Sequence, residues 1–282
     1  MKYKLLALDV DGTLVRPDQT VAPQLIDALA RADAAGLKIC LATGRSYVET
    51  MPVWQQLRLG LPYQPLVLIG GALVSEPDTG RTLFQRTIPH DLACQYADAL
   101  LEEGYSAMAI VDAWRHGVDY FFAQGPDAQA EANRWFSKMN VKVQNLRRLA
   151  DAPDMPGALR ISAVIDADKA PDLAARLKNR FDGQLNIHPI HAPNYGVTIV
   201  EAFSAKADKF GGIMYLAQAM RLGAGAISAV GDDVNDLPMI RGAALGVAMA
   251  KAPQHVKDQA KHVMQADGLA AFVDELVAGR FD

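Results

Sequence analysis

Cysteine is scarce: the 282-residue chain has two, Cys40 in an apolar strand-like run and Cys94 in a helical pattern. They lie far apart and no CxxC spacing occurs, which excludes a disulfide framework and a thiolate zinc site. A basic excess is missing too, since Lys+Arg 28 against Asp+Glu 32 leaves a net charge of -4. Binding a phosphodiester backbone calls for a surplus of Lys and Arg, so nucleic acid is not an expected partner. Long hydrophobic runs are also lacking. The most apolar stretch, Pro65 to Val74, is about half of the ~20 residues that a membrane span needs, and it carries two glycines. After Met1-Lys2-Tyr3-Lys4 only the four residues Leu5 to Leu8 are apolar before Asp9, too few for a signal-peptide core. A protein of the reducing cytoplasm with no membrane partner is expected.

What is present describes a folded α/β protein. Half the residues are apolar (50%) and 21% are charged, an ordinary globular balance, and the length suits one large or two modest domains. Strand-like and helix-like patterns alternate over the first 75 residues: Lys4 to Leu8, Ala22 to Ala35, Leu37 to Ala42, Ser46 to Leu57 and Leu66 to Ile69. Such alternation predicts βαβ units on a parallel sheet. The first strand is almost continuously apolar, as expected of a strand covered on both faces. From about Phe84 the pattern changes to an α+β insertion: helices over Asp91 to Glu103 and Asp127 to Met139, a hairpin of Ala107 to Val111 with Val118 to Phe122, a loop over Leu149 to Gly157, then strand, helix and strand to His188. The alternating pattern returns with Val197 to Val200, a helix from Asp208 to Arg221, and Ile227 to Val230. It ends with Leu237 to Arg241, Leu245 to Val247, and helices over Pro253 to Lys261 and Leu269 to Val277. The predicted fold is a Rossmann-like parallel-sheet core, residues 1-83 and 191-282, interrupted by an α+β domain, residues 84-190.

Four segments carry chemistry, each at the carboxyl end of a predicted strand or the start of a helix. In open α/β sheets that is where ligands bind. Asp9-Val10-Asp11-Gly12-Thr13-Leu14 places two carboxylates at i and i+2, pointing the same way, so that one can attack a phosphorus atom while the other exchanges a proton with the leaving oxygen. A turn suited to Asp and Gly would read the same way; a calcium loop would need its glycine five residues after the first Asp and a helix before it. Thr43-Gly44-Arg45 follows a second buried strand and opens a helix, an arrangement that favours an anion, although Thr43 as a plain helix cap fits as well. Lys206 and Lys209 both stand near a helix start, where an ammonium offsets carboxylate and phosphate charge. Gly231-Asp232-Asp233-Val234-Asn235-Asp236 crowds three carboxylates and an amide into one loop. That is costly without a cation, and oxygen-only ligands indicate Mg²⁺, unless the segment is an acidic surface turn.

These segments, with Gly246-Val247-Ala248-Met249 and Val256-Lys257 beyond them, resemble the haloacid dehalogenase superfamily from end to end, and within it the Cof-type phosphatases with a C2B cap. The resemblance implies Asp9 as a nucleophile that becomes an aspartyl-phosphate and Asp11 as acid, then base. It implies Mg²⁺ held by the Asp9 side chain, the Asp11 carbonyl and Asp232, with Asp236 supporting from behind. Val10, Thr43, Gly44, Asn235 and one lysine would hold the phosphoryl oxygens. Lys209 stands seven residues before Leu216-Ala217 and 23 before Asp232, the family's intervals, and Lys206 misses both by three. The implied substrate is a small phosphorylated metabolite such as a sugar phosphate, nucleotide or cofactor phosphate. A phosphomutase or a non-catalytic phosphometabolite sensor are the alternatives, and an intact nucleophile argues against the sensor. Gly70-Gly71-Ala72, Phe210 after Lys209, and Lys251-Ala252 depart from the family pattern. The motifs are silent on the oligomeric state. His188 and His191, Trp54, Trp114 and Trp135, and the Arg147-Arg148 pair read as structural.

Overall fold

The computed structural model describes residues 2-125, 135-137, 139-152, 154-192, 196-265 and 267-282. The chain divides into two units, Met1–Phe84 with Asp208–Asp282, and Gln85–Ala207.

The first unit is built on a five-stranded parallel sheet ordered 262-263, 245-248, 227-231, 5-8, 38-41. Strand Leu5–Leu8 is an interior strand, next to the edge strand 38-41, and every residue of it is buried, because helices cover both faces of such a sheet. The register sets Leu8 beside both Val230 and Leu41. The carboxyl ends of three strands are therefore level, and the segments that follow them emerge together. The Asp9 N–H still donates to the Val230 carbonyl (3.0 Å) and the Ala42 N–H to that of Leu8 (2.8 Å). Beside this sheet, strands Leu66–Leu68, Leu73–Ser75 and Thr82–Gln85 form a small sheet of their own.

Helix Lys209–Ala219 buries Ile213, Leu216 and Ala217 against Leu5, Ala7, Ile227 and Ala229, residues at i, i+3 and i+4 that share one helix face. Asp208 starts it, its carboxylate accepting the Gly211 N–H at 2.8 Å. Cys40 is buried in the same core and its thiol is pushed up to about 12 by burial. Both cysteines are free thiols.

The second unit carries a six-stranded sheet ordered 185-192, 197-204, 160-165, 107-110, 120-123, 143-146, antiparallel except for its last pair. Helices His90–Glu102 and Ala170–Arg180 pack on one face, with Ala93, Tyr96, Leu100, Leu173 and Leu177 against Ile161, Ala163, Val200 and Ala202. The helix expected over Asp127 to Met139 falls largely outside the described residues.

The return to the first unit comes later than the sequence reading has it. Val197 to Val200 belongs to strand Val197–Ser204, paired antiparallel with Leu185–Ala192 and with Arg160–Ile165. It completes the second sheet, so the boundary falls at 207/208 and not at 190/191. Apolar strand residues are needed by either sheet, and only pairing partners separate the two assignments. His188 and His191 sit on that same hairpin, where residues three apart point to opposite faces. They cannot share a ligand. Arg148 pairs with Asp98, so its role is within this unit. The helix expected over Pro253 to Lys261 is shorter, Gln254–Lys257.

Candidate active site

Asp9, Asp232 and Asp236 converge at the carboxyl ends of the strands, with one carboxylate oxygen of each lying within 4.8 Å of the others. The parallel register brings Asp9 and Asp232 together, since each follows the end of neighbouring strands. Lys209, the first residue of its helix, reaches into the group. Its Nζ donates to Asp9 Oδ1 and to Asp236 Oδ1, both at 2.6 Å. Its side chain is 1% exposed. The other candidate, Lys206, is an exposed residue of the second unit.

Asp236 holds the loop as well as the lysine. Its second oxygen accepts the N–H groups of Asp232 (2.9 Å) and Asp233 (3.1 Å). Two backbone donors and an ammonium occupy this carboxylate, so it braces the site, the supporting place that the resemblance implies. Asp9 and Asp232 are left as oxygen donors that face each other. The donor set is hard oxygen only, which fits Mg²⁺ and not a soft metal.

Electrostatics follow from burial. Burial pushes the Asp9 carboxyl well above the usual range, Asp236 pushes it further, and the Lys209 ammonium pulls it back only in part. Asp232 is raised by burial and by Asp236, against the pull of Lys251 (3.7 Å) and of the Thr13 hydroxyl, which donates at 3.3 Å. Burial alone would lower Lys209; the carboxylates of Asp236 and Asp9 more than offset it and raise the ammonium above its ordinary value.

Two glycines make the close packing possible. A side chain at Gly12 would collide with the Asp232 carboxylate (2.2 Å), and at Gly71 with the Asp208 carbonyl (1.9 Å), and both have positive φ, +80 and +91. Gly71 follows Gly70, whose N–H donates to the Thr43 carbonyl at 2.9 Å. The Gly70-Gly71-Ala72 departure thus lies on the path joining the Thr43 loop to the lysine helix.

Asp11 is half exposed and is gripped by Arg45, with Nε to Oδ2 at 2.8 Å and Nη2 to Oδ1 at 2.5 Å. Thr43 is fully buried at the end of the adjacent strand, and its hydroxyl accepts the Arg45 N–H at 3.1 Å. The cap of helix Tyr47–Trp54 is Ser46, in a reciprocal box with Glu49. The alternative of Thr43 as a plain cap is thereby set aside. The Val10 carbonyl accepts the N–H groups of Thr13, Leu14 and Val15, closing the loop. Asn235 is exposed in the turn Val234–Asp236 and Gly44 borders Thr43. The structure thus joins Asp9, Asp232, Asp236 and Lys209 directly, pairs Asp11 with Arg45, and leaves Asn235 at the rim. The sequence reading gave no role to Thr13, Arg45 or Gln19. The first two stand inside the quoted motifs; Gln19 stands in a turn without any signal.

A parallel α/β sheet gathers an acidic, lysine-bridged site at its strand ends, and the chain carries a second α+β unit. The match to the family of haloacid dehalogenase-like hydrolases covers residues 6–273, and the chain belongs to that family. It is similar to the 5-amino-6-(5-phospho-D-ribitylamino)uracil phosphatase of Bacillus subtilis, 27% identical over 97% of each chain. It is also similar to the pyridoxal phosphate phosphatase of Escherichia coli, 26% identical over 97% of this chain and 98% of that one. A haloacid dehalogenase-like hydrolase from Bacteroides thetaiotaomicron has the same fold, with a TM-score of 0.78 and 22% identity over 98% of this chain and 100% of that one. The Cof-type resemblance read from the motifs is borne out.

Proposed function

We propose that the protein is a Mg²⁺-dependent phosphatase that hydrolyses a small phosphomonoester through an aspartyl-phosphate at Asp9. The observation that carries this reading is the buried Asp9 carboxylate bridged by Lys209 to Asp236 beside Asp232. A binding protein has no use for a nucleophile held at such electrostatic cost. The sugar-phosphate, nucleotide and cofactor-phosphate classes are all open to it, and the phosphatase names of its relatives fall among them.

In the first step an Asp9 oxygen attacks phosphorus while the ester P–O bond breaks. The departing electron pair stays on the leaving oxygen, which takes a proton from the Asp11 carboxyl. In the second, the Asp11 carboxylate takes a proton from water as the water oxygen attacks phosphorus and the Asp9 O–P bond breaks. Alcohol and phosphate are the products. Lys209 offsets the charge of Asp9 and of the transferring group, and Thr43, Gly44, Asn235 and the loop N–H groups would hold its oxygens. Mg²⁺ held by the Asp9 and Asp232 carboxylates and the Asp11 carbonyl would supply the remaining positive charge on those oxygens.

The test is a phosphate-release screen over a panel of phosphometabolites, with and without Mg²⁺, for wild type and Asp9→Asn. Metal-dependent release by wild type alone is the expected result. Isomerised product without free phosphate would replace the reading with a mutase, and binding without any turnover would replace it with a sensor.

A further inference from the structure

We propose that Arg45 is a positioning residue that aims the Asp11 carboxyl for proton transfer, and that Gln19 fixes Arg45 in turn. This rests on the phosphatase reading above, in which Asp11 is the acid.

The pair is built unlike a surface salt bridge. Arg45 is only 12% exposed, whereas Asp11 is 49% exposed, so a largely buried guanidinium presents its fork outward to a carboxylate on the rim. Exposed pairs of long flexible side chains contribute little, but here the arginine is held on its far side too. Its Nη1 donates to the Glu49 carbonyl at 3.3 Å, and its Nη2 donates to Gln19 Oε1. Gln19 is itself fixed in a strained backbone, with φ at +66, a region that non-glycine residues seldom adopt. Its carbonyl accepts from Gln56 Nε2 at 3.1 Å, and Gln56 Oε1 accepts the Val21 N–H at 2.9 Å. Strain of this kind persists only where the surroundings enforce it, and it gathers at functional sites.

The chemistry needs such a hold. An aspartate side chain at the rim samples several rotamers, yet proton transfer requires its oxygen within about 3 Å of the leaving oxygen. A carboxylate offers about four lone-pair sites. A bidentate fork engages both oxygens and fixes the plane of the group, which sets the direction in which its proton is offered.

The experiment compares kcat/KM for an alkyl phosphate that the wild type hydrolyses with kcat/KM for p-nitrophenyl phosphate, whose leaving group needs no proton. This ratio reports departure of the leaving group and is blind to the later water step. Arg45→Met is expected to lower the alkyl-to-aryl ratio at least about tenfold. Gln19→Asn keeps a residue that tolerates positive φ but is too short to reach Arg45. It is expected to lower the ratio in the same direction by a smaller factor at an unchanged melting temperature, which keeps the test decisive if Arg45→Met does not fold. Ratios equal to wild type in the folded variants, or equal loss on both esters, overturn the proposal. A wild type that releases phosphate from neither ester overturns the phosphatase reading first, and the inference with it.

Discussion

Replacing Lys209 by methionine keeps the length of the side chain and removes its charge. In the folded protein the ammonium lies 2.6 Å from two carboxylates, and Lys209, Asp9 and Asp236 are all at most 4% exposed. Breaking a buried ion pair by deleting one partner typically costs about 3–5 kcal/mol, because the other charge stays behind unpaired. For a unit of this size that is roughly 6–20 °C in melting temperature. The pH dependence has a definite sign. Lys209 is raised, so its contribution is fully present below the ordinary lysine pKa and constant across neutral pH. Asp9 is raised as well, so the folded state binds more protons than the unfolded one, and stability falls as pH rises through the Asp9 value. Without the ammonium Asp9 rises further. The deficit of Lys209→Met should therefore be largest at pH 8 and shrink towards pH 5. Denaturant titrations of both proteins at the two pH values measure it. Turnover should fall at least about a hundredfold, a few kcal/mol of lost stabilisation of the phosphoryl group. Lys206→Ala should keep wild-type turnover. A Lys209→Met protein that melts and turns over like wild type, or the reverse ranking of the two lysines, would refute the assignment.

Asp9→Asn should lose turnover by orders of magnitude yet melt no lower than wild type at pH 7, since an amide cannot form the phosphoenzyme and carries no buried charge; a folded variant that still hydrolyses substrate removes the covalent route. Mg²⁺ should raise the melting temperature of wild type in a concentration-dependent way and leave that of Asp232→Ala unmoved; equal shifts in the two proteins would place the cation elsewhere. Exchanging residues 85-207 for the corresponding unit of a relative should change which phosphate esters are used while a generic ester is still hydrolysed. An unchanged substrate profile in a folded chimera argues against that division of labour.

The parallel core was legible because its signals are local. Leu5 to Leu8, Ile227 to Val230 and Leu245 to Val247 are short apolar runs, each ending in a polar loop or a turn, and the strands lie there. The lysine was legible through the intervals of the family that the motifs resemble, and a side chain only 1% exposed agrees with the choice of Lys209 over Lys206. The strand Val197–Ser204 was misplaced because an apolar strand does not state which sheet it joins; its partners Leu185–Ala192 and Arg160–Ile165 decide that. Arg45 and Gln19 escaped for a related reason. A guanidinium that grips Asp11 from 34 positions away, and a glutamine 26 positions from Arg45, leave no pattern in the intervening sequence.

The balance of charge in the site explains why such a constellation calls for a cation. Asp9, Asp232 and Asp236 bring three carboxylates together, and among the described residues Lys209 holds the one ammonium at hydrogen-bonding distance from them. Lys251 stands 3.7 Å from Asp232 but is 60% exposed, where solvent weakens its pull. Lys209 is shared between two acids, and burial together with Asp236 still leaves Asp9 above the ordinary carboxylate range. In the proposed mechanism Asp9 must be ionised, and the lysine alone does not offset the burial that opposes this. A divalent cation between Asp9 and Asp232 would cancel the remaining two negative charges and favour the ionised form of Asp9. It would also be drawn to a phosphoryl dianion that Lys209, already committed to two carboxylates, cannot neutralise by itself. The same burial that makes Asp9 costly to ionise keeps its contacts with Lys209 less screened than the exposed Lys251–Asp232 pair. In the proposed site metal affinity and the ionisation of Asp9 would be linked, because Asp236 holds the loop N–H groups and the lysine at once.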